Sequence, residues 1–337
     1  MLANLAQPYL ADLDITLRQI VRLIPDSAPG FGVMLRYALG WVDEHDQPYS
    51  QPSGKRIRPL LLLLCAEASG QNWSKALPAA AAVELLHNFS LIHDDIQDDS
   101  PLRHRRPTVW KIWGRPNAIN AGDALFTLAY TALESLAADL PADTVLHTWR
   151  IFNRTALELT RGQHLDMQFE RRSEVTVDEY ISMIRGKSAA LISACSEMGA
   201  LIGSHDPDLA KLYADFGLNL GIAFQIRDDI LGIWGDPQIT GKSAATDILS
   251  RKKSLPVLHA LSLSEDLVQL YAQELFAERE VQTAIQILDD LDIQEYAQQQ
   301  EAHYYQQALA ALEATRTAGP AAERLLALVH GLFGRKY

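Results

Sequence analysis

Residues 83–99 read VELLHNFSLIHDDIQDD, an apolar helical run that ends in four aspartates within six positions. Asp94 and Asp98 are four residues apart, so a helix places their carboxylates on one face. Like charges at this spacing repel each other, and the C-terminal end of a helix already carries partial negative charge. A cation that compensates them is expected, and carboxylate oxygens suit Mg²⁺, whose coordination is completed by water and phosphate oxygens. A solvated acidic helix end is the alternative interpretation.

A second aspartate pair, Asp228 and Asp229, lies in residues 217–236, which read GLNLGIAFQIRDDILGIWGD. Isoleucines flank this pair, so the two acidic side chains cannot both be ordinary exposed surface residues. Gly217 and Gly221, four positions apart on the same run, predict close packing by a neighbouring helix. A buried salt bridge to Arg227 is the alternative. The two clusters together are a more specific indication of function than either one alone. On facing helices they would form a multi-metal diphosphate site.

The chain as a whole favours helices. β-branched residues are scattered, while Ala, Leu, Gln and Glu dominate long periodic segments. No repeat or low-complexity linker divides the 337 residues. We therefore predict an all-α protein with a single domain over residues 1–337, whose motif-bearing core covers about 54–256. Residues 235–256 are polar and punctuated by Gly and Pro, which predicts a long loop region.

Composition and charge narrow the possible partners and locations. The formal net charge is −12, which repels the phosphate backbone and makes nucleic acid an unexpected partner. The two cysteines, Cys65 and Cys195, lie in apolar runs and read as core residues rather than as a disulfide. The first twenty residues lack a basic start, and no apolar stretch is long enough to span a bilayer. We expect a soluble, cytoplasmic protein.

Clustered basic residues stand out against this acidic background. They are Lys55, Arg56 and Arg58 in GKRIRP (54–59), the RHRR run at 103–106, Lys187, Lys242, Lys252 and Lys253. Arg can hold phosphate oxygens with two hydrogen bonds, whereas Lys acts as a point charge. Two separate basic sets predict two diphosphates, one held directly and one through metal ions. Ordinary surface residues or salt bridges are the alternative for any single member.

Six ordered motifs resemble those of the trans-isoprenyl diphosphate synthases, also called polyprenyl synthetases. They are GKRIRP, HNFSLIHDDIQDDSPLRHRRPTVW, GQHLD, GKSAAL, FQIRDDILGIWGD and TGKSAATDILSRKKSLP, which run from about Gly54 to Pro256. The resemblance implies a bundle of antiparallel helices around a deep central cavity, and a homodimer. It also implies an enzyme that condenses isopentenyl diphosphate with C5 to C15 allylic diphosphates, using about three Mg²⁺ ions per active site or Mn²⁺ in their place.

The resemblance also implies roles for individual residues. The metal ligands would be Asp94, Asp95, Asp98, Asp228 and Asp229. The allylic diphosphate would be bound by Arg103, Lys187, Lys242 and Lys252. Isopentenyl diphosphate would be bound without metal by Lys55, Arg58, His87 and, in place of a usual arginine, His104. The developing allylic cation would face the Lys187 carbonyl, Ser188 and Gln225.

The sequence departs from the family pattern at several positions. Gly232 stands where the second aspartate motif usually has another aspartate, and Asp236 is a candidate to supply that acid at longer range. His104 leaves one contact to isopentenyl diphosphate in question, and Arg105 stands where a glycine is usual. Ser188 replaces a usual threonine but keeps the hydroxyl.

Product length is predicted from the helix that carries Asp94. Phe89 lies five positions upstream, about 7–8 Å lower at 1.5 Å per residue, and its ring would close the cavity there. Ser90 would leave room on one side, and Leu86 lies one turn further. Relatives with an aromatic followed by a small residue tend to make C20 chains, so we predict geranylgeranyl diphosphate as the main product. Farnesyl diphosphate would be a lesser product, and a plain core role is the alternative for Phe89.

Other functions remain as alternatives. A farnesyl or longer-chain polyprenyl diphosphate synthase would differ only in product length. A class I terpene cyclase also uses DDxxD, but it has no isopentenyl diphosphate to hold, so GKRIRP and His87 argue against it. A non-catalytic regulatory subunit of a heterodimeric synthase tends to have degraded acidic motifs, whereas the first motif here is intact.

Overall fold

The computed structural model describes residues 2–25, 30–49, 54, 56–70, 72–235, 246–273 and 275–333. Lys55, Lys242 and Asp236, three residues to which the sequence assigns candidate roles, lie outside these ranges. The prediction of an all-α protein is confirmed, because the only strands among the described residues form a two-stranded ribbon.

The elements follow one another with short connections. The α-helices are α1 (Leu2–Val21), α2 (Phe31–Ala38), α3 (Ile57–Ala68), α4 (Leu77–Gln97), α5 (Val109–Trp113), α6 (Arg115–Glu134), α7 (Ala142–Arg171), α8 (Val177–Ile184), α9 (Ala190–Ser204), α10 (Pro207–Trp234), α11 (Thr246–Leu249), α12 (Leu255–Leu261), α13 (Glu265–Tyr271), α14 (Glu278–Asp290), α15 (Ile293–Ala314) and α16 (Pro320–Phe333). Short 3₁₀ helices cover Trp73–Ala76 and Ser135–Ala138, and a π-helix covers Arg185–Ala189. The antiparallel strands are β1 (Leu102–Arg103) and β2 (Arg106–Pro107).

The chain forms two compact units. Unit 1 contains residues 1–153, 195–211 and 317–328, and unit 2 contains residues 154–194, 212–316 and 329–337. The first aspartate cluster lies in unit 1 and the second in unit 2. The single-domain interpretation of the sequence stays a prediction.

The core of unit 1 is built around α4. Residues 60–66 of α3 and 79–86 of α4 are buried without interruption. Each fully buried leucine in these runs contributes roughly 1.5–3 kcal/mol relative to an exposed one. The consecutive alanines Ala79–Ala82 keep the start of α4 narrow, and α4 packs against α1, α3 and α6. The helix that ends in the first aspartates is therefore fixed along most of its length.

The core of unit 2 packs α8 against α10 and α12. Its buried members include Tyr180, Ile184, Ile226 and Leu255. At Gly221 of α10 a Cβ atom would lie 2.6 Å from the Cα atom of Ala189, so only glycine permits this approach. The close packing predicted at Gly221 is confirmed. A capping box of Thr176 and Glu179 begins α8, with each side chain accepting the other residue's backbone N–H.

The described residues contain no helix that is long and apolar enough to cross a membrane. Cys65 and Cys195 are buried free thiols, as the sequence predicts. Burial raises the pKa of both thiols, so neither is a reactive thiolate near neutral pH.

Candidate active site

The first aspartates, at the end of α4, differ in how exposed their side chains are to solvent. The backbone N–H of Asp98 donates to the Asp94 carbonyl at 2.9 Å, so the helix closes at this residue. The Asp98 side chain is exposed and that of Asp94 is partly exposed, whereas Asp95 is only 5% exposed. Asp94 and Asp98 therefore offer accessible carboxylate oxygens, and Asp95 faces the interior of unit 1.

Arg103 reaches back to these carboxylates from β1. Its Nε donates to Asp95 Oδ1 at 2.8 Å, and its Nη2 donates to Asp94 Oδ2 at 3.3 Å. Burial raises the pKa of Asp95, and the nearby guanidinium only partly offsets that effect. Burial would lower the pKa of Arg103, but its two carboxylate partners outweigh burial and raise it. Arg103 thus supplies part of the positive charge that is expected beside these aspartates.

The turn that returns Arg103 has an unusual backbone. His104 and Arg105 join β1 to β2, with φ of 50° and 65°. Both residues are exposed and adopt the left-handed conformation that favours glycine. A glycine, which the family resemblance implies at position 105, would adopt this conformation without strain, whereas Arg105 adopts it at some cost.

A second polar group of unit 1 lies where α3 begins. Arg58 Nη1 and His87 Nε2 are 3.2 Å apart. Burial and the charge of Arg58 hold the pKa of His87 well below its usual value, so the imidazole is neutral near pH 7. Beside them, Arg56 Nη1 contacts Asp14 at 3.1 Å and its Nε contacts the buried Glu84 at 3.8 Å. Arg56 is therefore a structural ion-pair residue, and Arg58 contributes a positive charge beside the neutral His87.

In unit 2, the π-helix presents Lys187 and Ser188. A Cβ atom on Gly186 would lie 2.6 Å from the Glu158 carbonyl and 3.1 Å from the Gly162 Cα, so two glycines allow the backbones of α7 and the π-helix to touch. Lys187 forms an ion pair with Asp166. π-Helical turns are frequent at functional sites because they redirect side chains without ending the helix.

A hydrogen-bonded chain runs from the π-helix to the second aspartates. Ser188 Oγ donates to Gln225 Oε1 at 2.5 Å, and Gln225 Nε2 donates to Asp229 Oδ1 at 3.1 Å. Tyr180 also donates its hydroxyl to Asp229, and the backbone N–H of Leu255 donates to the same carboxylate at 3.3 Å. Asp229 is fully buried, whereas Asp228 is exposed. Asp229 therefore fixes the positions of its neighbours, and Asp228 is the accessible member of the pair.

The adjacent lysines Lys252 and Lys253 have different partners. Lys252 Nζ lies 3.7 Å from an Asp247 oxygen and 3.9 Å from an Asp229 oxygen. Burial would lower the pKa of Lys252, but these carboxylates raise it, so the amine stays charged. Lys253 donates to backbone carbonyls at the end of α7, including that of Phe169 at 2.6 Å. Lys253 is a helix cap, and Lys252 is the lysine that lies beside Asp229 and Asp247.

Gly232 makes room for Asp247. A Cβ atom at position 232 would lie 2.7 Å from the Asp247 Cγ atom, so the carboxylate of α11 occupies the space beside the glycine. The family resemblance implies an aspartate at position 232. In this chain a carboxylate is present there, but it comes from residue 247 rather than from residue 232.

The predicted chain-length residues lie on α4 in different environments. The Phe89 ring packs between His93 and Phe126, with centroids 4.6 Å and 4.9 Å away. Ser90 donates its hydroxyl to the His87 carbonyl at 2.8 Å. Leu86 is fully buried, so a role for it in chain length stays a prediction.

The donors present fit Mg²⁺ better than a metal that needs a full protein cage. Among the residues that the structure describes, no group of three or more His, Cys, Asp or Glu side chains is arranged to hold an ion. Mg²⁺ is usually bound by one or two carboxylates together with water and phosphate oxygens. The accessible carboxylates of Asp94, Asp98 and Asp228 match that pattern. A structural Zn²⁺ would require a closed set of nitrogen and sulfur ligands.

Sequence reasoning identified most of these residues but missed three. Asp166, Tyr180 and Asp247 contact Lys187, Asp229 and Lys252 respectively. Asp166 and Asp247 lie within quoted motifs, so a charge beside the motif lysines was the available signal. Tyr180 lies outside every motif, and nothing in the sequence marks it.

Comparison with known proteins is consistent with this geometry. The family model for polyprenyl synthetases matches residues 40–288. A farnesyl diphosphate synthase of Mycobacterium tuberculosis is 44% identical over 72% of this chain and 66% of its own length. A geranylgeranyl diphosphate synthase of Saccharolobus solfataricus is 46% identical over 62% of this chain and 63% of its own. The matched region thus spans about two thirds of these relatives.

Solved structures extend the similarity to nearly the whole chain. A polyprenyl synthetase from Streptomyces coelicolor has a TM-score of 0.86 at 34% identity, covering 98% of this chain and 97% of that one. A geranylgeranyl pyrophosphate synthetase from Pyrococcus horikoshii has a TM-score of 0.86 at 32% identity, covering 99% and 98%.

Proposed function

Because the chain belongs to the polyprenyl synthetase family, we propose that it condenses isopentenyl diphosphate with an allylic diphosphate of C5 to C15 and lengthens it by C5 units. The main product we propose is geranylgeranyl diphosphate, with farnesyl diphosphate as a lesser one. Relatives of similar identity carry both names, so product length rests on the residues of α4. A homodimer and a cytoplasmic location belong to the same proposal.

The observation that carries the proposal is that α4 carries two differently composed groups of polar side chains. Asp94 and Asp98 end the helix with carboxylates suited to a metal-bound diphosphate. His87 lies seven residues earlier, about 10 Å along the axis, and contacts Arg58. A guanidinium beside an imidazole offers N–H donors to phosphate oxygens, so this pair suits a second diphosphate that is bound directly. A reaction that joins two diphosphates needs both sites, whereas a terpene cyclase needs only the first.

The allylic diphosphate would be bound by cationic side chains that are already paired with carboxylates. Asp94 and Asp98 in unit 1 and Asp228 in unit 2 would hold Mg²⁺, which would supply positive charge to the oxygens of the leaving diphosphate. Arg103, Lys187 and Lys252 would add direct contacts. Carboxylates hold each of these cations in position before the substrate arrives. The positive charges are thus preorganised for the transition state rather than recruited during it.

The proposed reaction has three steps: ionisation, condensation and proton loss. The C1–O bond of the allylic substrate breaks, and its electron pair leaves with the diphosphate. The Lys187 carbonyl, the Ser188 hydroxyl and the Gln225 amide face the allylic cation. Since Ser188 donates to Gln225 and Gln225 donates to Asp229, the dipoles of this group are fixed. The double bond of isopentenyl diphosphate attacks C1, and a proton then leaves to the released diphosphate.

Isopentenyl diphosphate would be bound by Arg58, His87 and Lys55, of which Lys55 lies outside the described residues. A neutral His87 donates one hydrogen bond without adding charge, so Arg58 supplies the electrostatic attraction. His104, on the turn after β1, is the proposed replacement for a usual arginine. Its imidazole would contribute charge only when it is protonated.

The proposal is tested by supplying isotopically labelled isopentenyl diphosphate with a C5, C10 or C15 allylic partner and Mg²⁺. We expect label in longer prenyl diphosphates with each partner, and a C20 product as the main species. A cyclase would release a hydrocarbon from the allylic partner and leave the label unused. A regulatory subunit would consume neither substrate. Either of these outcomes would reject the proposal.

A further inference from the structure

Three consecutive cations, Arg251, Lys252 and Lys253, lie between α11 and α12 in unit 2. The middle one lies beside Asp229 and Asp247, whereas the outer two donate hydrogen bonds to backbone carbonyls. The sequence shows a run of positive charge, and the fold gives its members different partners. Arg251 is the member of this run that the proposed reaction leaves without a role.

Arg251 caps the end of α13. Its Nη1 atom donates to the Tyr271 carbonyl at 3.3 Å, and its Nη2 atom donates to the Gln273 carbonyl at 2.5 Å. Tyr271 is the last residue of α13, where carbonyls lack partners within the helix and the helix dipole favours a positive charge. The guanidinium also lies over the Phe276 ring, with its Cζ atom 4.6 Å from the ring centroid. These contacts anchor Arg251 to the end of α13 and to the segment that follows it.

The backbone of Arg251 adopts an unfavourable conformation. Its φ of 53° is left-handed, which costs roughly 1–2 kcal/mol for a residue with a side chain and is adopted freely by glycine. This conformation turns the chain back on α11. The N–H of Arg251 donates to the Ile248 carbonyl and that of Lys252 donates to the Asp247 carbonyl, both at 2.9 Å. The turn thus brings Lys252 back to Asp247, and the contacts of the Arg251 side chain offset the strain of the turn.

The position of Lys252 depends on this turn. Its Nζ atom lies 3.7 Å from an Asp247 oxygen and 3.9 Å from an Asp229 oxygen, so the two carboxylates attract it by charge rather than by short hydrogen bonds. Its side chain is 44% exposed, which leaves it accessible to a substrate. The backbone on either side is fixed, by Arg251 to the end of α13 and by Lys253 to the end of α7.

We propose that Arg251 is a positioning residue that keeps Lys252 in place to bind the allylic diphosphate. This inference rests on the proposed prenyltransfer, in which Lys252 contacts the leaving diphosphate. The Arg251 guanidinium itself is engaged by backbone carbonyls, so it acts on the substrate through the turn. Loss of this anchor lets the turn relax and moves Lys252 away from its two carboxylates. Binding of the allylic diphosphate should then weaken, whereas isopentenyl diphosphate should bind as before.

Three substitutions separate positioning from stability. Arg251→Ala removes the anchor and keeps the backbone strain, Arg251→Gly removes both, and Arg251→Lys keeps the charge. We expect the alanine and glycine variants to raise the allylic KM by about five-fold with an unchanged KM for isopentenyl diphosphate, and the lysine variant to be intermediate. The glycine variant should nevertheless melt at a higher temperature than the alanine variant. The control is Arg279→Ala, which removes an exposed arginine of α14 in the same unit and should change neither KM.

A double-mutant cycle tests whether Arg251 acts through Lys252. In the Lys252→Ala background, Arg251→Gly should change the allylic KM by less than about two-fold, because the side chain that it positions is already gone. Calorimetric titration of geranyl diphosphate, with Mg²⁺ and without isopentenyl diphosphate, gives the same comparison if turnover of the double variant is too slow to measure.

Two results would overturn the inference. One is a folded Arg251→Gly enzyme with the parental allylic KM, since a purely structural role predicts that KM follows stability. The other is an equal effect of Arg251→Gly with and without Lys252. Both leave prenyltransfer intact, because the parent still converts the two substrates. A parent protein that formed no prenyl product would instead reject the proposed function itself.

Discussion

The two aspartate pairs share the same pattern of exposure, but different groups contact the buried aspartate in each pair. In each pair the first residue is the more accessible, Asp94 in unit 1 and Asp228 in unit 2, and the second is buried. Asp95 is supported by the charge of Arg103 at 2.8 Å. Asp229 accepts hydrogen bonds from three neutral donors, and the Lys252 Nζ atom lies 3.9 Å from one of its oxygens.

This difference indicates different tasks for the two buried carboxylates. A charged pair such as Asp95 with Arg103 can exchange partners when a diphosphate arrives, because the guanidinium can contact phosphate oxygens instead. A carboxylate fixed by neutral donors gains nothing from such an exchange. Asp229 therefore holds Tyr180 and Gln225 in place, and through Gln225 it orients Ser188.

The largest expected effect is a loss of turnover when an accessible aspartate is replaced. Asp94→Asn and Asp228→Asn should each lower kcat by about a thousand-fold, because the charge that holds the metal is lost. Their melting temperatures should stay close to that of the parent, since neither side chain is buried. Steady-state kinetics with thermal unfolding measure both effects. A folded variant with near-parental turnover would remove that aspartate from the metal site.

The buried aspartates should differ from each other in stability. Asp229→Asn places an amide group among three donors, and at least one buried donor then loses its acceptor, at a cost of about 1–3 kcal/mol each. Asp95→Asn keeps an acceptor for Arg103, which is itself partly exposed, so we expect a smaller loss of about 1 kcal/mol. Urea unfolding compares the two. Equal losses would show that the two supports are equivalent.

The interchange of Gly232 and Asp247 gives a sharper comparison within unit 2. Gly232→Asp should force the Asp247 carboxylate out of its place and lower stability by about 1–3 kcal/mol, with weaker use of the allylic substrate. Combining it with Asp247→Ala should restore much of both properties, because one carboxylate again fills the space. Unfolding curves and allylic KM values report the outcome. If the double variant were worse than Gly232→Asp alone, position 232 could not replace position 247.

His87 should give a smaller, pH-dependent effect. Its pKa in the folded protein is lowered by burial and by Arg58, whereas the unfolded histidine titrates near 6.5. The unfolded state therefore binds more protons as pH falls through about 6.5, and the free energy of unfolding decreases below that pH. His87→Gln should make the decrease between pH 7 and pH 5 shallower. The exposed His45→Gln is the control, and an identical slope in parent and His87→Gln would contradict the interpretation.

Sequence patterns identified the candidate metal ligands more readily than the residues that contact them. The periodicity of α4 and α10 and their terminal aspartates are local features, so the helices and the acidic residues could be read directly. The partners Asp166, Tyr180 and Asp247 meet Lys187, Asp229 and Lys252 only through tertiary packing. The same limit applies to Arg56 and Lys253, because one pairs with acidic residues and the other caps α7.

Product length shows the same limit. The spacing between Phe89 and Asp94 is visible in the sequence, and it directs attention to one helix. Phe126 lies on a different helix, and its contact with Phe89 depends on how α6 packs against α4. No periodic signal in either segment would have paired these two rings.

The central claim is that the protein binds its two diphosphates in different ways, and calorimetric titration of isopentenyl diphosphate tests it most directly. In buffer with a chelator and no Mg²⁺, we expect isopentenyl diphosphate to bind the parent protein. We expect Arg58→Ala to weaken that binding by about ten-fold or more, since a direct charged contact is lost. Asp94→Asn should leave it unchanged. Binding that required Mg²⁺, or that survived in Arg58→Ala and was lost in Asp94→Asn, would contradict the account.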